Sequence, residues 1–213
     1  MYREISVLSL AMLFGCVAGA AVTPTPAAPA IDAAWAEHQI DFHFFGNDTG
    51  KSTYYTCDGI EQKLRALLRM AGARRDAYVV ASGCGFGTTD LSTLIMVHIR
   101  FHSPSLAQPA DAAAAPESVA AHWNTQKLRL GWTNGFDAGD CQLVDQFRLQ
   151  VLKQLAVRNV TADLDCSVRA PAPRGRSSLA FEALTATPTA EAESIERERQ
   201  PKKHDDQLKS ERN

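Results

Sequence analysis

The sequence lacks three features that would assign it to a common functional class. Its 213 residues carry a formal net charge of only −2, so bulk electrostatics give no attraction to phosphate backbones and nucleic acid is not expected as a partner. It has no Cys-x-x-Cys pair, which argues against a thioredoxin-type redox centre and a four-thiolate zinc site. It also has no apolar run of the roughly 20 residues that a membrane-spanning helix needs. The remaining composition, 45% hydrophobic and 22% charged, is that of one ordinary globular domain.

The N-terminus carries an apolar stretch from Ile5 to Val17 that suits the hydrophobic region of a secretory signal peptide. Ala18-Gly19-Ala20 follows as an A-x-A cleavage site. We therefore expect residues 1–20 to be a signal peptide and residues 21–35, rich in Pro and Ala, to be a flexible segment. The expected location is the periplasm or the outside of the cell.

The same region also contains a possible lipid-attachment motif, Leu13-Phe14-Gly15-Cys16. It resembles the bacterial lipoprotein box, although Phe14 departs from the short residue usual at its position. Lipid attached to Cys16 would anchor the protein to the envelope, with the Pro/Ala segment as a tether. The membrane is an expected partner only in that case.

Four further cysteines indicate disulfides, because an exported chain meets an oxidising compartment. The chain between them repeats itself: in each half a cysteine opens a helical pattern and a second cysteine ends the short strand that follows. The two spacings, 27 and 25 residues, agree closely. The cysteines are Cys57, Cys84, Cys141 and Cys166.

Simple geometry selects one of the three possible pairings. A helix of about 14 residues rises roughly 21 Å, and a strand of about 7 residues returns over roughly 23 Å. The end of each strand therefore comes back beside the start of its helix. We predict the disulfides Cys57–Cys84 and Cys141–Cys166.

The order of elements predicts an α+β fold of the ferredoxin-like type, βαββ(β)αβ, with two helices packed on one face of an antiparallel sheet. We expect a single domain over residues 36–184, held by two disulfides, with a mobile insertion at 103–121 where Ala, Pro, Ser and Asp dominate. Residues 185–213 read as a disordered charged tail.

Histidines form the one constellation that suggests a ligand. His98 and His102 share a face of the long predicted strand with Met96, and His43 lies on the polar face of the first strand. If those strands are central neighbours, the three histidines would converge, and imidazole with thioether would suit copper or zinc. The alternative is a solvated sheet face without a metal.

Two glycine-containing loops only superficially resemble nucleotide-binding motifs. Residues 46–52 are one residue short of a P-loop, with Phe45 where its first glycine belongs. Residues 83–87 precede a strand, whereas the dinucleotide fingerprint precedes a helix. No catalytic set of Ser, His and Asp, nor a carboxylate pair, stands out, so the sequence favours a protein that is not an enzyme.

The pattern between Cys57 and Cys166, notably residues 139–147 (GDCQLVDQF), resembles a group of uncharacterised exported bacterial proteins. That resemblance implies location and no activity. The leading hypothesis is a non-enzymatic envelope protein that binds a protein or small ligand or assists a larger assembly. The alternative is a periplasmic metal-binding protein that uses the histidines, with a hydrolase third.

Overall fold

The structure, a computed structural model, describes residues 30–47, 52–84, 91–106, 117–131, 133, 135–166 and 177–187. The predicted signal peptide, Cys16 and most of the predicted tail lie outside them. The described part contains two helices and six strands: β1 (Ile31–Phe45), α1 (Cys57–Met70), β2 (Tyr78–Ser82), β3 (Leu94–Ser105), β4 (Ser118–Arg129), α2 (Cys141–Gln150), β5 (Val157–Asp163) and β6 (Ser178–Ala186). Neither described helix is long and apolar enough to span a membrane.

The sheet is antiparallel, with the strand order β2-β3-β1-β4-β6-β5. It consists of two βαββ units, β1-α1-β2-β3 and β4-α2-β5-β6, in each of which the third strand lies between the first two. The repeat seen in the sequence is therefore a duplication of structure. The units meet where Ile31–Ala34 of β1 pairs with Ser118–Ala121 of β4.

The α+β class and both disulfides are confirmed, whereas the strand order differs from the ferredoxin-like one. β1 and β3 are neighbours, as predicted. In a ferredoxin-like sheet, however, the strand after the second helix would pair with β1. Here β4 takes that place and β5 lies at the far edge, because β6 completes a second unit and pairs with both β4 and β5.

Several predicted boundaries also differ from the observed strands. β1 begins at Ile31, inside the segment predicted to be flexible, and residues 103–105 and 118–121 of the predicted insertion belong to β3 and β4. β6 extends to Ala186. These ends are fixed by backbone pairing, such as Ser105 with Ala34 and Ala186 with Ala121, and such long-range pairing leaves little signal in local composition.

One hydrophobic core lies between the helices and the sheet. Thr56 begins α1 by accepting a hydrogen bond from Gly59 N–H at 3.0 Å, and the apolar stripes of both helices face the sheet. Each disulfide fixes the first residue of a helix to the chain just after the following strand, as predicted. The largest fully buried side chains include Phe42, Phe44, Phe101, Phe147, Ile60, Leu64, Leu68 and Leu143.

Candidate functional site

The face of the sheet opposite the helices, here called the open face, carries the three predicted histidines. The register places His98 opposite Asp41 and His43 opposite Met96, so these four side chains are neighbours. His102 lies opposite Glu37, four residues from His98 along β3. At about 3.3 Å per residue that is roughly 13 Å away.

The histidines make separate contacts on this face. His98 Nδ1 lies 2.8 Å from Asp41 Oδ1, and the ring of His43 stacks on that of Phe45 with centroids 6.4 Å apart. Among the described residues, no group of three or more His, Cys, Asp or Glu side chains is placed to hold a metal ion. Metal binding at His43, His98 and His102 stays a prediction.

Large apolar side chains stand exposed on the same face of the first unit. They form a patch, here called the apolar patch, whose members are between 41% and 54% exposed: Phe45, Tyr78, Val80, Leu94 and Met96. The strand registers place Leu94 beside Phe45, and Val80 and Tyr78 beside His98 and Arg100, so polar side chains lie among the members of the patch. The sequence signal for it is the apolar residues at alternate, outward positions of β2 and β3.

On the open face of the second unit, some apolar side chains are buried. There Ala121 and Leu184 are buried in a small cluster with Ala33 of β1, against the partly buried Trp123. The guanidinium of Arg158 lies 4.3 Å from the Trp123 ring centroid, and Glu182 holds that guanidinium at 2.6 Å. The hydrogen bond from Arg158, with one from Asn159, lowers the pKa of Glu182. Ala121 and Leu184 are thus covered on this face, whereas Val160 on β5 stays 43% exposed.

Helix side chains cover two free stretches of strand edge. At the outer edge of β2, Glu61 Oε1 accepts from Ala81 N–H at 2.9 Å and Arg65 Nη2 donates to Val79 C=O at 2.6 Å. Along the C-terminal half of β1, Gln146 and Gln150 bind backbone groups of that strand. Both edges therefore have fewer free groups with which to pair an extra strand.

The third edge, at β5, is interrupted in a different way. The register of β5 against β6 shifts between Arg158 and Thr161, and Asn159 between them has a φ of 53°. A bulge of this kind bends and twists an edge strand, which hinders regular pairing with another strand. Strand addition is therefore disfavoured here as well.

A buried polar network joins the beginnings of the two helices. Asp140, 2% exposed, accepts from the Tyr55 hydroxyl at 2.5 Å and from Lys63 Nζ at 2.7 Å. Asp137 N–H donates to the same carboxylate at 2.8 Å. Burial, and next the negative charge of Asp140, raise the pKa of Tyr55 far above its usual value. Tyr55 therefore stays a neutral donor, and the network has a structural role that links the two units.

Asp140 shows what the sequence did and did not reveal. A carboxylate at a helix start is typical of a capping residue, and Asp140 does close a capping box with Asp137. Its partners Tyr55 and Lys63 lie 85 and 77 residues away, and no local pattern connects them.

No protein-family model, curated protein or solved structure matches this chain.

Proposed function

We propose that this protein is a non-enzymatic binding or accessory protein of the cell envelope that recognises a partner protein through the apolar patch. The observation that carries the proposal is the contrast between the two units. On this face Ala121 and Leu184 of the second unit are buried, whereas five large apolar side chains of the first unit are 41% to 54% exposed. Contiguous exposed apolar surface is rare in monomeric proteins and marks interaction sites.

The chemistry of the apolar patch suits a protein surface. Aromatic and Met side chains, which are enriched in protein interfaces, lie beside polar groups that can hydrogen-bond, notably His98 with Asp41, and Arg100, whose guanidinium carbon lies 5.7 Å from the Tyr78 ring centroid. Because helix side chains and a bulge occupy the strand edges, we place the partner on the face of the sheet and not at its edge.

The proposed location rests on the two disulfides. Structural disulfides form and persist in oxidising compartments and are rare in the cytosol. They support a periplasmic or secreted protein, and the apolar stretch at residues 5–17 would direct its export. Lipid attachment at Cys16 is the alternative form, in which the protein works from the membrane surface.

Photo-crosslinking in the native cell envelope tests the proposal. A photoreactive amino acid is introduced at Met96 in the apolar patch or, as a control, at Thr125, which is exposed on β4 of the second unit. We expect discrete crosslinked products to a protein from position 96 and none from position 125. An absence of products at position 96, or the same products from both, would contradict the proposal.

Paired substitutions test whether the contact depends on the apolar patch itself. Leu94→Thr and Met96→Thr together remove exposed apolar surface and introduce β-branched residues, which suit a strand. Val160→Thr is the matched control, because Val160 is 43% exposed on β5 outside the patch. We expect the double variant to lose a crosslink from a photoreactive residue at position 45, and the control to retain it.

A further inference from the structure

A cleft of about 520 Å³ lies on the helical side of the molecule, away from the open face. The outer surface of α1 forms one wall and the loop before α2 forms the other. Three cationic side chains line it, Lys63, Arg65 and Arg69, together with the aromatic ring of Phe136. Among the described residues that line the cleft there is no Asp or Glu, although the chain as a whole is slightly acidic.

Two of the three cations are held in place by hydrogen bonds to other groups of the protein. Lys63 Nζ donates to Asp140 and to Gly135 C=O at 2.8 Å, which leaves one of its three N–H donors. Arg65 uses only its Nη2 atom, on Glu61 and on Val79 C=O. Its Nη1 and Nε donors have no hydrogen-bond partner among the described residues. Both side chains are thus oriented and keep spare donors.

Arg69 completes the set one helical turn beyond Arg65, an i, i+4 spacing that puts both on one side of α1. Its side chain is exposed, and its guanidinium has no ionic or hydrogen-bond partner within the described part of the chain. The charge of Lys63 is opposed by buried Asp140 and that of Arg65 by Glu61. Arg69 therefore supplies the uncompensated positive charge of the cleft.

We propose that this cleft binds a small ligand that carries a phosphate monoester. Guanidinium groups bind tetrahedral oxyanions through paired, charge-assisted hydrogen bonds. Preoriented Arg65 and Lys63 lose less conformational freedom on binding than mobile side chains would. The volume lies within the range of small-molecule sites, and Phe136, a core residue that is 5% exposed, adds a small apolar contact at one side.

The test is a titration of the full, disulfide-bonded protein with glycerol 3-phosphate, followed by ¹H–¹⁵N NMR. We expect saturable shifts of the amides of Gly59, Ala66 and Gly135, and no shifts on the open face. Arg69→Gln should weaken binding roughly tenfold or more, because it removes a charge-assisted contact. Lys127→Gln, an equal change of charge at an exposed position of β4, should leave the affinity unchanged.

Vesicles that contain phosphatidic acid present the same phosphate monoester on a membrane and separate the two sources of the ligand. Binding of dissolved glycerol 3-phosphate identifies a soluble ligand, as we expect, and binding of the vesicles alone identifies a lipid headgroup. Binding of neither overturns the proposal. Equal weakening by Arg69→Gln and Lys127→Gln overturns it too, because the effect would then follow net charge and not the cleft.

Discussion

The side chain of Gln150 holds both backbone polar groups of His43: its Oε1 accepts from the N–H at 2.9 Å and its Nε2 donates to the C=O at 2.8 Å. Gln146, one helical turn earlier, holds Phe45 in the same way at 2.9 and 2.8 Å. The spacing of the two glutamines fits that of the two strand residues, because one helical turn rises about 5.4 Å and two strand residues span about 6.7 Å. α2 thus stands where β4 no longer pairs with β1.

Gln150→Ala should lower the free energy of unfolding by about 1–2 kcal/mol, since two backbone groups of His43 lose their partners at a partly exposed site. Urea denaturation measures the loss. Hydrogen exchange should become faster at the His43 amide, while the Phe45 amide stays protected by Gln146.

Gln62→Ala provides the matched control for this substitution. Gln62 is exposed on α1, and its side chain has no hydrogen-bond partner among the described residues. Its replacement should change stability by less than about 0.5 kcal/mol. If the two variants lose the same stability, or if hydrogen exchange at the His43 amide is unchanged, the Gln150 side chain does not bind the backbone of His43 in place of a neighbouring strand.

Gly72 gives a second prediction, because it brings the end of α1 against β6. Its φ is +89°, and a Cβ atom there would lie 2.3 Å from the Leu184 carbonyl oxygen. Gly72→Ala therefore combines left-handed strain of about 1–2 kcal/mol with overpacking of about 1–3 kcal/mol. Gly131, with φ +82° and nothing within 4 Å of its added Cβ, is the control that shows the strain alone. In thermal denaturation, the melting temperature of Gly72→Ala should be well below that of Gly131→Ala. Equal melting temperatures would contradict the close contact between Gly72 and Leu184.

The two disulfides should contribute almost equally to stability, because they close loops of similar length in repeated units. With separations of 27 and 25 residues, the chain-entropy model gives each about 3.5 kcal/mol. Replacing either pair of cysteines by serine should lower the free energy of unfolding by that amount, measured by urea denaturation. A large loss from only one pair would show that the units are not energetically equivalent.

The disulfides could be predicted from the sequence because they depend on local facts: helix length, strand length and the spacing of the cysteines. The strand order could not, because it depends on which strands meet after long connections. β6 follows β5 across residues 164–177, so no tight turn dictates their partners. The roles of Gln146 and Gln150 were equally hidden, since both read as ordinary polar positions on a helix.

On the open face, too, some features could be predicted from local sequence and others could not. The sequence placed His43, His98 and Met96 on one face of neighbouring strands, and the register agrees. It could not tell that this face of the first unit keeps its apolar side chains exposed, because alternation assigns residues to faces without saying what covers each face. The second unit shows that covering depends on particular side chains, Trp123 and Arg158, brought together from different strands.

Tyr55 supplies a prediction about pH. Burial and the charge of Asp140 raise its pKa in the folded protein above the ordinary value of about 10. Between the two pKa values the unfolded chain loses the tyrosine proton and the folded protein keeps it. The folded state then binds more protons, so stability falls as pH rises. The contribution is complete below pH 10 and should decline above it by up to about 1.4 kcal/mol per pH unit.

Tyr55→Phe separates this effect from other alkaline titrations. At pH 7 the variant should be about 1–3 kcal/mol less stable, because buried Asp140 loses a donor. Between pH 10 and 11 its stability should fall less steeply than that of the wild type, so the two curves approach each other. Tyr54→Phe is the control, since Tyr54 is 53% exposed and its removal should leave the wild-type slope. Urea denaturation at pH 7, 9, 10 and 11 measures all three proteins. Parallel curves for Tyr55→Phe and wild type would mean that the Tyr55 hydroxyl is not held by Asp140 in solution.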